Sequence, residues 1–407
     1  MTPGKDSSNM EGPLKGLRII EVGTLVAASF AARILGDFGA EVIKIEAPGQ
    51  PDPLRAWGQG SVAQRGIWWT IQSRNKRLVT LDLRQAGGQE IFRKLCRAAD
   101  VVIENFRPGT LEKWGVGPDV LARVNSRLIL ARVSGFGQTG PYRRRPCFAA
   151  LAEAMGGLRY INGEPDGPPL RMGVSLGDTL AGLFAVQGIL LALHERAQSG
   201  AGQVVDIALT ESCLAMMESA IAEYDLLGKV RARTGARIPG VVPSNVFKTR
   251  DGKWFVIAAS ESRMFERLCA AMELPSLSSD VRFATHESRC VNQDPLEQLI
   301  ADWVATKDSS ELATILEVSD IAGGAVHSAA DIVTDPQIVA RGSLVAHQDE
   351  VMGSFLAQGA TPLLSRTPGS VRWAGKWAPG ADNQHVYGEI VGLTDQELAQ
   401  LRASKIM

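Results

Sequence analysis

Short runs of β-branched and other apolar residues alternate with amphipathic stretches through the first third of the chain. Leu17 to Val22, Glu41 to Ile45, Leu78 to Leu83, Asp100 to Glu104 and Leu128 to Val133 each read as a buried strand. Between them, Phe30 to Phe38 and Gln89 to Arg97 carry helical spacing. Strand–helix alternation of this kind predicts an α/β fold, a doubly wound parallel sheet of Rossmann-like architecture. A dinucleotide site would place GxGxxG in the first strand–helix turn. That turn reads Val22-Gly23-Thr24-Leu25-Val26-Ala27-Ala28, with one glycine, so NAD or FAD binding loses its main support.

Further along, Phe148 to Met155 and Thr179 to Arg196 predict helices, and Gln203 to Leu209 predicts a strand. A helix over Glu211 to Leu227 follows, with Leu214, Met217, Ile221 and Tyr224 on one stripe and its methionines as core filler. Lys229 to Pro243 turns to Arg, Gly and Pro, the composition of a linker. Beyond it, Asn245 to Lys248 and Trp254 to Ala259 flank Thr249-Arg250-Asp251-Gly252-Lys253, and Asp-Gly between two apolar runs predicts a hairpin. Helices at Met264 to Met272, Pro295 to Ala305 and Ser310 to Leu316 complete a smaller α+β domain. Short strands and loops lead from Asp335-Pro336 to a last helix, opened by the capping box Thr394-Asp395-Gln396-Glu397. The expected division is 1–228 in a large domain, 229–243 as linker, 244–334 in the small domain and 335–407 as a final segment.

Composition narrows the function. A chain of 407 residues with 45% hydrophobic and 21% charged residues has the makings of two ordinary globular domains. Its 43 Lys+Arg balance 44 Asp+Glu, which leaves no global electrostatic case for nucleic acid or membrane. Cys96, Cys147, Cys213, Cys269 and Cys290 lie far apart, and the five histidines form no HExxH, so neither a disulfide scaffold nor a metal site is expected. Met1 to Pro13 is polar, neither signal peptide nor anchor. The longest apolar helix, near Leu180 to Leu193, carries Gln187 and Gly188 and falls short of a bilayer span. These readings predict a cytoplasmic protein.

Against that background Asp178 stands out, in Val174-Ser175-Leu176-Gly177-Asp178-Thr179-Leu180-Ala181-Gly182. A carboxylate at the start of a long apolar helix reads first as an N-cap. The same place suits a nucleophile, because the helix N-terminus favours the anion and Gly177 leaves room for a substrate.

Several separated blocks set the balance between those readings. Leu14-Lys15-Gly16-Leu17-Arg18-Ile19-Ile20-Glu21-Val22 is followed by Gly36-Asp37-Phe38-Gly39-Ala40-Glu41-Val42-Ile43-Lys44-Ile45-Glu46. Arg74-Asn75-Lys76-Arg77 runs into Val79-Thr80-Leu81-Asp82-Leu83. Then come Asp100-Val101-Val102-Ile103-Glu104-Asn105-Phe106-Arg107-Pro108-Gly109 and Ser134-Gly135-Phe136-Gly137-Gln138-Thr139-Gly140-Pro141. With the Asp178 motif and Val246-Phe247-Lys248-Thr249-Arg250-Asp251-Gly252, the chain resembles the class III CoA-transferases, among them formyl-CoA, carnitine and glutarate CoA-transferases. The blocks keep the family's order over nearly the whole chain.

The resemblance implies that Asp178 is a covalent nucleophile and that residues 335–407 return to the large domain. It also implies an interlocked homodimer. The implied substrates are an acyl-CoA, with succinyl-CoA as the expected donor, and a carboxylic acid; coenzyme A enters as a thioester substrate, with no tightly bound cofactor. An aspartate attacking a thioester forms a mixed anhydride of comparable reactivity, from which free coenzyme A thiolate makes an aspartyl thioester. Such an aspartate must be ionised, so its pKa is expected at or below about 4. Backbone amides beside Gly177 and Thr179 are the expected oxyanion donors.

Positions matching the family's coenzyme A contacts are the loop Thr24, Leu25, Val26 and Ala27, then Leu81 and Arg84, Asn105 and Phe106, and Lys113. The loop ends the first strand, where open α/β sheets bind ligands. Arg84 and Lys113 also fit solvated surface charges, and Asn105 a plain turn residue. Arg74, Lys76 and Arg77 either attract phosphate or bound the strand, while Arg143-Arg144-Arg145 reads as a solvated loop. Arg171, close to Asp178 in sequence, is a candidate partner for a second carboxylate and points to dicarboxylic substrates.

Three departures separate the chain from formyl-CoA transferase. Val26 replaces a glutamine, Pro146-Cys147-Phe148-Ala149-Ala150 lacks the acidic residue of many relatives, and Ala258-Ala259-Ser260-Glu261-Ser262 lacks a glycine-rich flap. A racemase of the same superfamily needs a second proton carrier where this chain has Phe148, and a phenyl ring exchanges no proton. A non-catalytic subunit of a hetero-oligomeric transferase would lack the nucleophile, and Asp178 is present.

Overall fold

The computed structural model describes residues 11–407, so residues 1–10 of the polar stretch Met1 to Pro13 lie outside the described residues. Six strands form the main sheet: β1 Arg18–Glu21, β2 Glu41–Glu46, β3 Lys76–Thr80, β4 Val101–Glu104, β5 Ile129–Ser134 and β6 Val204–Ala208. Their spatial order is β3-β2-β1-β4-β5-β6, and every neighbouring pair is parallel. Around them run α1 Ala27–Asp37, α2 Ile67–Gln72, α3 Ala86–Arg97, α4 Ala149–Met155, α5 Leu176–Ser199 and α6 Leu209–Leu214. Ile19, Val42, Val101 and Ile129 face a core shared with α1 and α5, while Ile20, Ile43, Val102 and Leu130 face one shared with α3, Tyr387 and Leu398. Burial on both faces is why these strands read as apolar runs.

Contacts divide the chain into two compact units. One holds the residues up to Leu158, Arg171–Ala222 and Gln337–Met407; the other holds Arg159–Leu170 and Glu223–Pro336. In the first, β3 is an edge strand whose open backbone is met by residues near the C-terminus. Leu78 N–H donates to Asp382 Oδ2 at 2.8 Å, Thr80 N–H to Asn383 Oδ1 at 2.9 Å, and the Tyr387 hydroxyl to Thr80 C=O at 3.1 Å. An edge covered this way offers no template for further strands. In the second unit, Ser244–Lys248 and Trp254–Ala258 form the expected antiparallel hairpin, with Gly323–Ala325 as a third strand. Helices Ser262–Ala271, Gln293–Val304 and Ser309–Val318 close its core around Phe247, Phe255, Phe265 and Ile300.

Two expectations need correction. The helix Glu211 to Leu227 is broken: α6 ends at Leu214, Glu218 takes φ +48°, and Ala220–Leu227 forms a separate helix. A left-handed residue does not continue an α-helix. The stripe is not a core stripe either, since Met217 is buried but Leu214, Met216, Ile221 and Tyr224 are exposed. In addition α5 has 24 residues and is long and apolar enough, by length and composition alone, to cross a membrane. Within its unit it packs on α1, β5 and β6, burying Ala181, Ala185, Ile189 and Ala192.

Charges sit where the strands were read as apolar. Lys44 on β2 is fully buried, with Nζ 2.7 Å from Glu21 Oε1 and 2.9 Å from Asp52 Oδ2, and it donates to Gly23 C=O at 2.9 Å. Lys76 Nζ lies 2.7 Å from Glu21 Oε2. Asp52 Oδ1 accepts Leu25 N–H at 3.0 Å, and Leu25 has φ +63°, a region side chains other than glycine seldom enter. The loop after β1 is thus fixed from below by paired charges. Lys44→Met would leave Glu21 and Asp52 buried without their shared cation, and is expected to cost about 3–5 kcal/mol in urea unfolding. A loss below about 1 kcal/mol, the scale of an exposed pair, would contradict this account.

Candidate active site

Asp178 lies in the first turn of α5, and Ser175 rather than Asp178 holds the N-cap position, without a side-chain cap bond. Gly177 was expected to make room for a substrate. Instead it is buried, and a Cβ there would lie 3.2 Å from Ala149 C=O and 3.3 Å from Glu153 Cγ. The glycine therefore lets α4 press on the mouth of α5. That approach brings the buried carboxylate of Glu153 to accept Gly177 N–H at 3.2 Å. Thr179 N–H donates to Ser175 C=O at 3.0 Å. Both amides expected to serve an oxyanion already have partners, which corrects that assignment.

The half-buried Asp178 carboxylate accepts no hydrogen bond from any described residue. Burial, and then the neighbouring Glu153 carboxylate, push its carboxyl up to about 6, against the pull of the Arg171 guanidinium. The expected value at or below about 4 is corrected, because desolvation and a like charge outweigh the helix N-terminus. Arg171 Nε stands 3.7 Å from Glu153 Oε2, so one cation serves two acids. Cys147 and Cys213 also sense the Asp178 charge, and burial raises both thiols, that of Cys213 to about 11.

Beside this cluster opens a cavity of about 770 Å³, with Arg171, Ser175 and Thr179 in one part of its lining and Val26, Arg33 and Gln72 in another. The volume falls in the range of small-molecule sites, roughly 300–1,000 Å³. Ser175 and Thr179 stand on either side of Asp178 in sequence, but Asp178 itself is not part of the lining.

A second cavity lies past the C-terminal ends of β1 to β4, where the strand order reverses between β1 and β4. Open α/β sheets bind ligands at such switch points. Of the residues singled out from sequence, Thr24, Leu81, Arg84 and Phe106 line it together. Arg84 Nε is 2.7 Å from Asp82 Oδ1 with its side chain half exposed. Asn105 does not line the cavity. Its Oδ1 accepts Thr24 N–H at 2.8 Å and its Nδ2 donates to Thr24 C=O at 2.7 Å, so it clamps the loop that does. Gly23 permits this clamp, since a Cβ there would meet Asn105 Oδ1 at 2.6 Å. Leu25 is half-buried, Ala27 is buried, and Val26 faces the Arg171 cavity. Lys113 is exposed and outside both cavities, whereas its neighbour Trp114 lines the second one, edge-on to Phe106 with ring centroids 5.0 Å apart.

The basic stretch around Asn75 is structural. Arg74 Nη2 pairs with Asp37 Oδ2 at 2.6 Å, Lys76 with Glu21, and Arg77 Nε with Glu41 Oε1 at 3.1 Å. Arg143, Arg144 and Arg145 lie in an exposed loop. Glu153, Trp114 and Arg33 escaped the sequence reading. An acid on an alanine-rich helix was the available signal for Glu153.

The sequence signature of CoA-transferase family III matches residues 14–383. The chain is 46% identical over 395 residues to a succinyl-CoA–D-citramalate CoA-transferase of Chloroflexus aurantiacus, covering 97% of this chain and 98% of that protein. It is 39% and 38% identical to the alpha and beta subunits of a succinyl-CoA–L-malate CoA-transferase of the same organism, covering 100% and 99% of this chain and 95% and 100% of theirs. Among solved structures, a CAIB/BAIF family protein from Brucella suis superposes with TM-score 0.82 at 30% identity, over 93% of this chain and 100% of that one.

A carboxyl whose folded pKa exceeds its unfolded value weighs against folding at high pH, and this weight vanishes once pH falls below the ordinary carboxyl range. Asp178→Asn is therefore expected to raise the unfolding free energy at pH 8 by about 1–2 kcal/mol, less than the full shift because the group is partly solvated. At pH 4 the gain should shrink toward zero. Denaturant titrations at both pH values check it, and equal effects at both would contradict it.

Proposed function

This chain belongs to CoA-transferase family III and is a CoA-transferase, and we propose that it carries coenzyme A from succinyl-CoA to a hydroxylated dicarboxylic acid through Asp178. The supporting observation is a carboxylate at the mouth of α5 that accepts no hydrogen bond from any described residue, beside Arg171 and a cavity of small-molecule size. In the first step an Asp178 oxygen bonds to the thioester carbonyl carbon and the C–S bond breaks, releasing coenzyme A thiolate and leaving a mixed anhydride. The thiolate then attacks the Asp178 carbonyl carbon, expelling succinate and forming an aspartyl thioester. The acceptor carboxylate attacks that carbon and frees the thiolate again. Finally the thiolate takes the acyl group from the second anhydride, and Asp178 returns as a carboxylate. No net proton or electron is required. A carboxylate raised to about 6 is more basic than an ordinary aspartate yet still ionised at neutral pH, which suits a nucleophile.

On this reading the adenine end of coenzyme A occupies the switch-point cavity, whose volume is about 230 Å³. Leu81, Phe106 and Trp114 offer apolar surface for adenine, and Arg84 and Thr24 lie beside them for phosphates, with Asn105 holding the loop that carries Thr24. The acceptor class follows from the relatives, since citramalate and malate are both 2-hydroxy dicarboxylic acids.

Exposed apolar residues support an assembly of copies. Leu183, Leu190 and Leu191 on α5 and Leu226 and Leu227 at the end of Ala220–Leu227 face solvent in the single chain. We propose a homodimer. A second reading, in which a different subunit is needed, is favoured by the alpha and beta names of two relatives.

With the chain expressed alone, succinyl-CoA plus L-malate or D-citramalate should yield succinate and the new thioester, and light scattering should give twice the chain mass. Inactivity until a related subunit is added favours the second reading. Asp178→Ala and Asp178→Asn are expected to lower turnover by about 10⁴-fold or more while the protein stays folded. Retained turnover in either variant refutes the nucleophile. In the unaltered chain kcat/KM should rise with pH and level off above about 6.

A further inference from the structure

The cavity beside Asp178 carries two polar atoms that the protein leaves unsatisfied. Arg33 Nε on α1 and Gln72 Oε1 at the end of α2 are both buried and without hydrogen-bond partners, and both residues line this one cavity. The Arg33 guanidinium carbon lies 4.6 Å over the Phe30 ring, which supports its flat face. Trp68, Ile71 and Val26 supply apolar wall between the polar groups. Buried polar atoms without partners are rare in folded proteins and cost free energy, so a pair in one cavity asks for a bound group.

The two orphans are complementary. Arg33 Nε–H is a donor, and a guanidinium edge matches a carboxylate; Gln72 Oε1 is an acceptor and needs an O–H or N–H. A 2-hydroxy dicarboxylate carries both a carboxylate remote from the reacting one and a hydroxyl donor. Arg171, whose charge acts on Asp178, belongs to one part of the lining and Arg33 to another, so the reacting carboxyl is assigned to the first and the remote one to the second.

We propose that this cavity is the acid subsite, in which Arg33 holds the remote carboxylate of donor and acceptor and Gln72 accepts the hydroxyl of the acceptor. The proposal rests on the CoA-transfer reading for its substrates but assigns residues that reading does not need. Succinate lacks the hydroxyl, so Gln72 distinguishes acceptor from donor acid while Arg33 serves both.

The test uses the full chain with two variants, Arg33→Gln and Gln72→Leu. Gln72→Leu removes an unpaired oxygen and should not lower the unfolding temperature, while Arg33→Gln also gives up the Phe30 ring contact and should lower it only slightly. Calorimetric titration with L-malate, D-citramalate and succinate is run beside turnover from succinyl-CoA. Arg33→Gln is expected to weaken all three acids by about 10- to 100-fold, and Gln72→Leu to weaken the hydroxy acids by about 10-fold while sparing succinate. Turnover KM values should move in parallel. Unchanged binding and unchanged selectivity in both variants would overturn the subsite, as would equal loss of hydroxy acids and succinate in Gln72→Leu. If the acids bind in the expected pattern while no coenzyme A is transferred, the subsite stands and the transfer reading fails.

Discussion

Two carboxylates held against one helix mouth are the constraint on which the site depends. Gly177 has no side chain, so α4 reaches α5, and Glu153 takes the amide that a helix N-terminus would otherwise offer to Asp178 or to a ligand. The helix field is thereby partly spent on Glu153, and desolvation with like-charge repulsion governs Asp178. The outcome is an aspartate that is more basic than usual and accepts no hydrogen bond from any described residue. The same arrangement opposes folding at neutral pH, a local cost of the kind functional sites carry and the rest of the fold offsets.

A second constraint in the same unit is the way charge is buried under the loop after β1. The Glu21, Lys44, Asp52 and Lys76 network locks the loop after β1 in a left-handed turn, and Asn105 clamps that loop from the end of β4. Truncating one member leaves its partners uncompensated, so such a network is rigid rather than merely stabilising. The switch-point cavity is built on that rigid floor. The Asp178 cavity is lined instead by α1, α2 and the start of α5, with two unsatisfied polar atoms. One cavity is thus prepared by satisfied polar groups and the other by unsatisfied ones.

Much of this was legible in the chain, for identifiable reasons. All six sheet strands fall within a few residues of their expected places, and for the five from β1 to β5 this is because burial on two faces writes them largely as apolar runs. The hairpin at Asp251-Gly252 and the capping box at Thr394 are local chemistry, and both appear as read. Asp178 was visible through its motif and the ordered blocks around it. What stayed hidden depends on residues distant in sequence. Glu153 lies 25 positions before Asp178, and only the packing of α4 on α5 makes them neighbours. Arg74 and Lys76 stayed divided between attracting phosphate and bounding the strand, because their partners, Asp37 and Glu21, are invisible as such until the sheet forms. The break at Glu218 follows from a backbone angle that helical periodicity does not encode.

The central claim is that the acyl group and coenzyme A pass through the Asp178 carboxyl. Incubating the protein with succinyl-CoA, quenching with hydroxylamine and mapping peptides by mass spectrometry tests it most directly. The account predicts a hydroxamate on the peptide carrying Asp178, formed only with the thioester present and lost in Asp178→Asn. A hydroxamate on another residue, or none while transfer continues, would contradict it.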